Sequence, residues 1–309
     1  MSTFESKNKR TELYEKLIKL ALISASVIAI LTTFGILFSI LFEAIEFFKM
    51  RSFWYFITGT EWSPGIVGSK FGAVPIFAGT FVITIIALLV AIPIGLGSAV
   101  YMSEYAGPRL RDYLKPILEV LAGIPTVVYG FFAAITVAPF IVEAANAVGL
   151  EATFNSALAS GVVMGIMIIP VISSLSDDVI RSVPDSQRKA AYGLGMTHGE
   201  VIKNIVLPSA MPGIISASLL GLSKALGETM IVVMAAGLRP NLSWNPLEDM
   251  TTVTVTIVNS LVGDFEFNSP ETLSAFALGL VLFAVTLVLN MISLSLIRKF
   301  KEKYKVNTL

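Results

Sequence analysis

Apolar and polar positions alternate along this chain on the scale of whole helices rather than of single turns. Long apolar runs occur at about 17–42, 73–101, 114–141, 156–175, 210–237 and 272–297, and the charged residues concentrate between them. The first run, Leu17 to Phe42, has 26 residues. At 1.5 Å per residue that is enough to cross about 30 Å of hydrocarbon with some tilt. It is too long for the roughly 7–15 apolar residues of a cleaved signal peptide and predicts an uncleaved first span. The pattern therefore predicts an all-α polytopic membrane protein with six transmembrane helices.

One polar island interrupts the apolar pattern late in the chain, at residues 184–208. Pro184 suits a helix first turn, and Gly193 or Gly195 can supply the positive φ that ends that helix. Thr197-His198-Gly199-Glu200 has the spacing of a capping box, with Thr197 as N-cap and Glu200 three residues on. A second short helix then carries Val201, Ile202 and Ile205 on one face and ends before Pro208. The segment reads as helix, glycine turn, helix. Its small apolar ridge fits a groove on a partner, the membrane surface or the rest of the chain itself.

Lys and Arg set the orientation. With the N-terminus in the cytoplasm, the basic residues of cytoplasmic segments number seventeen. They are Lys7, Lys9, Arg10, Lys16 and Lys19; Arg109, Arg111 and Lys115; Arg181, Arg188, Lys189 and Lys203; and Arg298, Lys299, Lys301, Lys303 and Lys305. The external segments hold four, Lys49, Arg51, Lys70 and Arg239. Both termini are thus expected in the cytoplasm, in agreement with an even number of spans. The external loops are acidic instead, through Glu143, Glu151, Glu248, Asp249, Asp264, Glu266 and Glu271. Trp54, Tyr55 and Trp62 suit an interfacial aromatic belt.

Composition supports a membrane protein and narrows the chemistry. Apolar residues make up 55% and charged residues 14%, against about 25% charged in a soluble domain. Mean hydropathy is +0.79. The formal net charge is zero, so no basic excess points to nucleic acid. The absence of cysteine excludes disulfides, zinc thiolates and a cysteine nucleophile, and one histidine, His198, cannot build a histidine metal cluster. No G-x-x-x-x-G-K-[ST] phosphate loop is present, so the chain cannot be an ATP-driven motor by itself.

The fifth apolar run contains a cation and an anion, in Gly221-Leu-Ser-Lys-Ala-Leu-Gly-Glu-Thr-Met230. For a span over 210–237, Lys224 falls near the midpoint and Glu228 one helical turn further out. Each charge costs roughly 2.5–3.5 kcal/mol at the centre of a bilayer, so both are expected to face a partner or a wet cavity. At i,i+4 they can neutralise each other as a structural pair. Alternatively, Lys224 offers its charge to a passing anion, with Glu228 holding or gating it and Ser223 and Thr229 adding hydroxyls. Gly221 and Gly227 allow a neighbouring helix to approach closely. Glu119, near the start of the third run, is expected to snorkel, and Pro125 and Pro170 to shape their helices.

Four stretches carry a family resemblance. Ala190-Ala191, then Gly195, then Ile205-Val206-Leu207-Pro208 resemble the "EAA" loop of importer-type ABC-transporter permeases. The span-five segment is similar to that of phosphate-specific ABC permeases of the PstC type. So are Leu121-Ala-Gly-Ile-Pro-Thr-Val-Val-Tyr-Gly130 and Tyr101-Met-Ser-Glu-Tyr-Ala-Gly107, and the likeness runs from about residue 70 to 297. The chain differs at two positions, with Lys189 where the family usually has Glu and Lys224 where it commonly has Arg.

This resemblance implies the type-1 ABC importer permease fold, N-in and C-in, in the cytoplasmic membrane of a prokaryote. It implies an arm, first helix and external loop over 1–72, a transmembrane domain over 73–297 and a basic tail over 298–309. It further implies that Lys189, Ala190, Ala191, Gly195, Glu200, Ile205, Leu207 and Pro208 couple to an ATPase, and that Lys224, Glu228, Ser223 and Thr229 line a phosphate path. The implied partners are a second permease of the PstA type, an ATPase dimer of the PstB type carrying ATP and magnesium, a phosphate-binding protein of the PstS type, and the bilayer. No cofactor or metal is expected on this chain. Sulfate or molybdate is the alternative cargo, and a secondary anion transporter the more distant alternative.

Overall fold

The computed structural model describes residues 2–65, 69–262 and 266–303. Lys305 and Asp264 lie outside the described residues, as do the side chains of Lys7, Lys9, Arg10, Lys301 and Lys303. Helix α1 (Ser2–Met50) leads into a short α2 (Phe53–Thr58) and a two-stranded antiparallel hairpin, β1 (Trp62–Ser63) with β2 (Lys70–Phe71). Then follow α3 (Val74–Val100), α4 (Pro108–Ala122), α5 (Thr126–Phe132), α6 (Ala138–Ala147) and α7 (Ala157–Arg181). The chain continues through α8 (Asp185–Gly193), α9 (His198–Val201), α10 (Leu207–Leu226), α11 (Met230–Ala235), α12 (Val253–Val262) and α13 (Pro270–Lys303). Among the described residues, six helices are long and apolar enough to cross a membrane, as the apolar pattern predicts.

Two boundaries differ from the expectation for a physical reason. The third span runs over Thr126–Ala147 instead of starting near 114. The chain breaks at Gly123–Pro125, where proline disfavours helical backbone in the residue before it. Glu119 therefore belongs to α4, a separate amphipathic helix with no buried residue. The fifth span is His198–Leu226, so the apolar run to 237 does not form one helix. It stops at Gly227, and α11 restarts after Thr229.

Pro208 does not end the second helix of the polar island. A π turn, Ile202–Val206, joins α9 to α10 without a break. Leu207 N–H already bonds back to Ile202 C=O, five residues away. The ladder thus widens just before the residue that lacks an N–H. The same device occurs at Ala133–Val137, ahead of Pro139 between α5 and α6. A third π turn, Tyr101–Tyr105, ends α3 shortly before Pro108.

The central contact is α3 against α7, and small residues make it close. A Cβ on Gly161 would lie 2.7 Å from the Cβ of Ile86, and one on Gly165 would lie 2.7 Å from the Cβ of Val90. Such a stripe lets helices meet without large side chains between them. Around it, Ile83, Ala87, Met164, Met167 and Ile168 pack with Ile231 and Val232 of α11 and with Met250 and Val255. A second core joins α1, α2, the hairpin and α13. There Phe47 meets Phe56 and Phe71 edge-on at 5.4 and 5.5 Å. Trp62 is buried in this cluster rather than lying on the surface, because the hairpin folds it against Phe71. Trp54 and Tyr55 remain exposed.

Candidate coupling and transport sites

The polar island folds as helix, turn, helix. Gly195 adopts φ +85° and closes α8, while Gly193 stays helical. Thr197 and Glu200 form the expected capping box, in which Thr197 N–H and Oγ1–H each donate to Glu200 Oε2 at 2.8 Å.

The apolar ridge faces inward. Val201 and Val206 are buried against Ala99, Ile180 and Val183, Ile205 and Leu207 pack at their margin, and Ile202 is buried as well. Ala191 belongs to the same core, so one alanine of the pair anchors the loop while Ala190 stays exposed. Lys189, Gly195 and Glu200 are also exposed, and Pro208 is half-buried. The apolar side chain left outward is Leu194, which is 80% exposed beside the half-exposed Tyr192. An apolar residue between Gly193 and Gly195 was the sequence signal for it.

Two ion clusters hold this loop. Arg188 Nη1 donates to both oxygens of Glu104 at 2.5 and 2.7 Å, and its Nη2 donates to Ile180 C=O at 2.9 Å. His198 joins the same place, with Nε2 3.2 Å from Glu104 C=O and Nδ1 2.6 Å from the Tyr192 hydroxyl. Nearby, Arg111 Nη2 lies 2.6 Å from Oδ2 of Asp177, a fully buried carboxylate at the end of α7. That bond raises the Arg111 guanidinium further above its usual range. Lys115 pairs with Asp178. None of the Arg and Lys partners was assigned from sequence, because each of these ion pairs joins distant parts of the chain.

In the fifth-span segment, Lys224 is half-buried in the last turn of α10, not at a mid-span position. Ser223 is exposed and Thr229 half-buried. Glu228 lies past the helix end and is 8% exposed. Its Oε1 accepts from Met230 N–H at 3.0 Å and Ile231 N–H at 3.3 Å, so it caps α11. Its carbonyl accepts from Thr254 Oγ1 at 2.8 Å. Among the described residues no carboxylate pairs with Lys224, and the i,i+4 ion pair does not form. The break at Gly227 takes Glu228 off the helical face that Lys224 occupies. Gly221 and Gly227 serve differently. A Cβ on Gly221 would come within 3.0 Å of Ile168 and Ile172, whereas Gly227 ends the helix.

Over residues 91–305 the chain matches the family described as "Binding-protein-dependent transport system inner membrane component". It belongs to that family. It is a multi-pass membrane permease of the ABC importer class. It is 34% identical over 276 residues to the phosphate transport system permease protein PstC 1 of Mycobacterium tuberculosis (strain ATCC 25618 / H37Rv), covering 79% of this chain and 82% of that one. It is 35% identical over 251 residues to the "Probable ABC transporter permease protein YqgH" of Bacillus subtilis (strain 168), covering 81% and 78%. In fold the permease resembles a chain of a bacterial ABC transporter involved in the import of the acidic polysaccharide alginate. The TM-score is 0.63 at 16% identity, over 93% of this chain and 99% of that one. A chain of the inward-facing MetNI methionine ABC transporter gives 0.55 at 15% identity, over 73% and 93%.

Proposed function

We propose that this permease carries inorganic phosphate into the cell, driven by a separate ATPase. The observation that carries the cargo is Lys224. It is a half-buried cation at the end of α10, and its neighbouring carboxylate, Glu228, is engaged by backbone N–H groups. Lys224 thus has no carboxylate partner among the described residues and is open to an anion, with Ser223 and Thr229 as nearby hydroxyl donors. The PstC names of its relatives support phosphate as that anion.

On this reading both termini are cytoplasmic and the chain has no catalytic activity of its own. An ATPase dimer of the PstB type holds ATP and magnesium and grips the loop over 184–208 through Tyr192 and Leu194. A PstA-type permease completes the membrane path, and a PstS-type protein delivers phosphate from outside. ATP binding closes the ATPases, displaces α8 and turns the cavity outward. Hydrolysis returns it inward, and phosphate passes Lys224 on the way.

The test is uptake of labelled phosphate by the four-component complex in liposomes, with unlabelled sulfate as competitor. ATP-dependent accumulation that phosphate suppresses and sulfate does not is the expected result. Absence of phosphate accumulation, or equal suppression by sulfate, overturns the cargo.

A further inference from the structure

Helix α4 lies along α7 without burying any residue fully, and charge fixes it there. None of its residues is buried, and a cavity of about 380 Å³ lies between its Leu114, Ile117 and Leu118 and the end of α3. What holds it is Arg111, whose Nη2 and Nε donate to Asp177 Oδ2 at 2.6 and 3.2 Å, and Lys115, bonded to Asp178. Asp177 is fully buried, so the bidentate bond to Arg111 lies in a poorly screened setting and is directional. Both carboxylates sit in the last turn of α7, directly ahead of α8.

A second tie joins the same two corners. Arg188 of α8 grips Glu104, on the π turn that leads through Gly107 into α4. The α3–α4 corner and the α7–α8 corner are therefore linked at two points.

The far end of α4 leads to the break at Gly123–Pro125. Across it, Tyr129 O–H donates to Leu121 C=O at 2.9 Å. Directly beyond, α5 lies flush on α11, where a Cβ on Gly130 would come 3.1 Å from Met230 C=O and 3.3 Å from Ile231 Cα. These are the residues whose N–H groups bind Glu228.

We infer that α4 is a second coupling arm: Arg111 and Lys115 fix it to the end of α7, Arg188–Glu104 ties its root to α8 so that the two move as one body, and the break at Pro125 hands that motion to α5 and α11 beside Glu228. Arg111 and Lys115 are positioning residues, since they touch neither ATP nor the cargo. The inference rests on the reading of α8 as the ATPase dock.

The natural chain has no cysteine, so Lys115→Cys/Asp178→Cys introduces a unique pair. The assembled complex in liposomes is assayed for labelled phosphate uptake and for ATP hydrolysis, before and after reaction with a cleavable bis-maleimide of about 10 Å reach. Without the linker, uptake per ATP hydrolysed falls at least three-fold. With the linker it recovers, and cleaving the linker lowers it again. Arg111→Gln shows the same fall in uptake per ATP, and Arg111→Lys recovers part of it.

Three results overturn the inference. They are an unlinked variant with wild-type uptake per ATP, a linker that fails to restore uptake, and uptake and hydrolysis that fall in proportion. Failure of the dock reading is separable, because Leu194→Glu would then leave ATPase co-purification unchanged. Failure of the cargo reading is also separable, because the wild-type complex would then take up no phosphate.

Discussion

Arg188 on α8 and Glu104 at the end of α3 form a two-oxygen ion pair at 2.5 and 2.7 Å, with side chains only 16% and 5% exposed. The loop over 184–208 is thereby fixed to the second span by charge as well as by its apolar core. Removing one partner of a buried pair strands the other and costs about 3–5 kcal/mol. Arg188→Gln is expected to lower the thermal unfolding midpoint of the purified permease. Arg188→Met with Glu104→Leu is expected to recover most of the loss. An unchanged midpoint in the single variant would count against the pair.

Lys224→Gln is expected to reduce phosphate uptake at least ten-fold while the complex still assembles. Lys224→Arg, which keeps the charge, is expected to retain most of it. Uptake by reconstituted complexes, compared at equal assembly on size-exclusion chromatography, checks both. Wild-type uptake by Lys224→Gln would remove this residue from the anion path.

Glu228 caps α11, and its two substitutions separate capping from charge. Glu228→Ala leaves the Met230 and Ile231 N–H groups without their acceptor, at about 1–3 kcal/mol. Amide exchange over 230–235 is expected to accelerate. Glu228→Gln keeps an acceptor oxygen, and exchange there is expected to stay slow. If Glu228→Gln also loses uptake, the carboxylate charge itself serves transport.

Leu194→Glu is expected to abolish co-purification of the ATPase without lowering the level of the permease in the membrane, since the side chain is outward and makes no core contact. Gly195→Val is expected to have the same effect through the backbone. A Cβ there meets nothing within 4 Å, so the cost is the φ of +85°, about 1–2 kcal/mol. Normal pull-down by both variants would place the dock elsewhere.

Much of the architecture was legible along the chain because its causes are local or additive. Hydropathy summed over twenty residues locates a span wherever the fold puts it, and all six runs correspond to helices. The capping box needs only Thr197 and Glu200, three residues apart, and it forms as their spacing predicts. The break at Gly123–Pro125 was written in the sequence too. It was masked because Ile117, Leu118, Val120 and Leu121 add their hydropathy to the run that follows.

The sequence by itself determined the number of spans, the helix–turn–helix over 184–208 and the family. These depend on composition, on residues within a turn or two of each other, and on motif spacing. Only the tertiary structure decided which way side chains face and whom they meet. Val201 and Val206 turn inward because Ala99 and Ile180 supply a core, leaving Leu194 outside. Lys224 and Glu228 do not pair, because the helix ends between them and the backbone of α11 binds the carboxylate. Arg188 finds Glu104 across 84 residues of chain. Such partnerships arise from packing of distant helices, and a linear pattern carries no record of them.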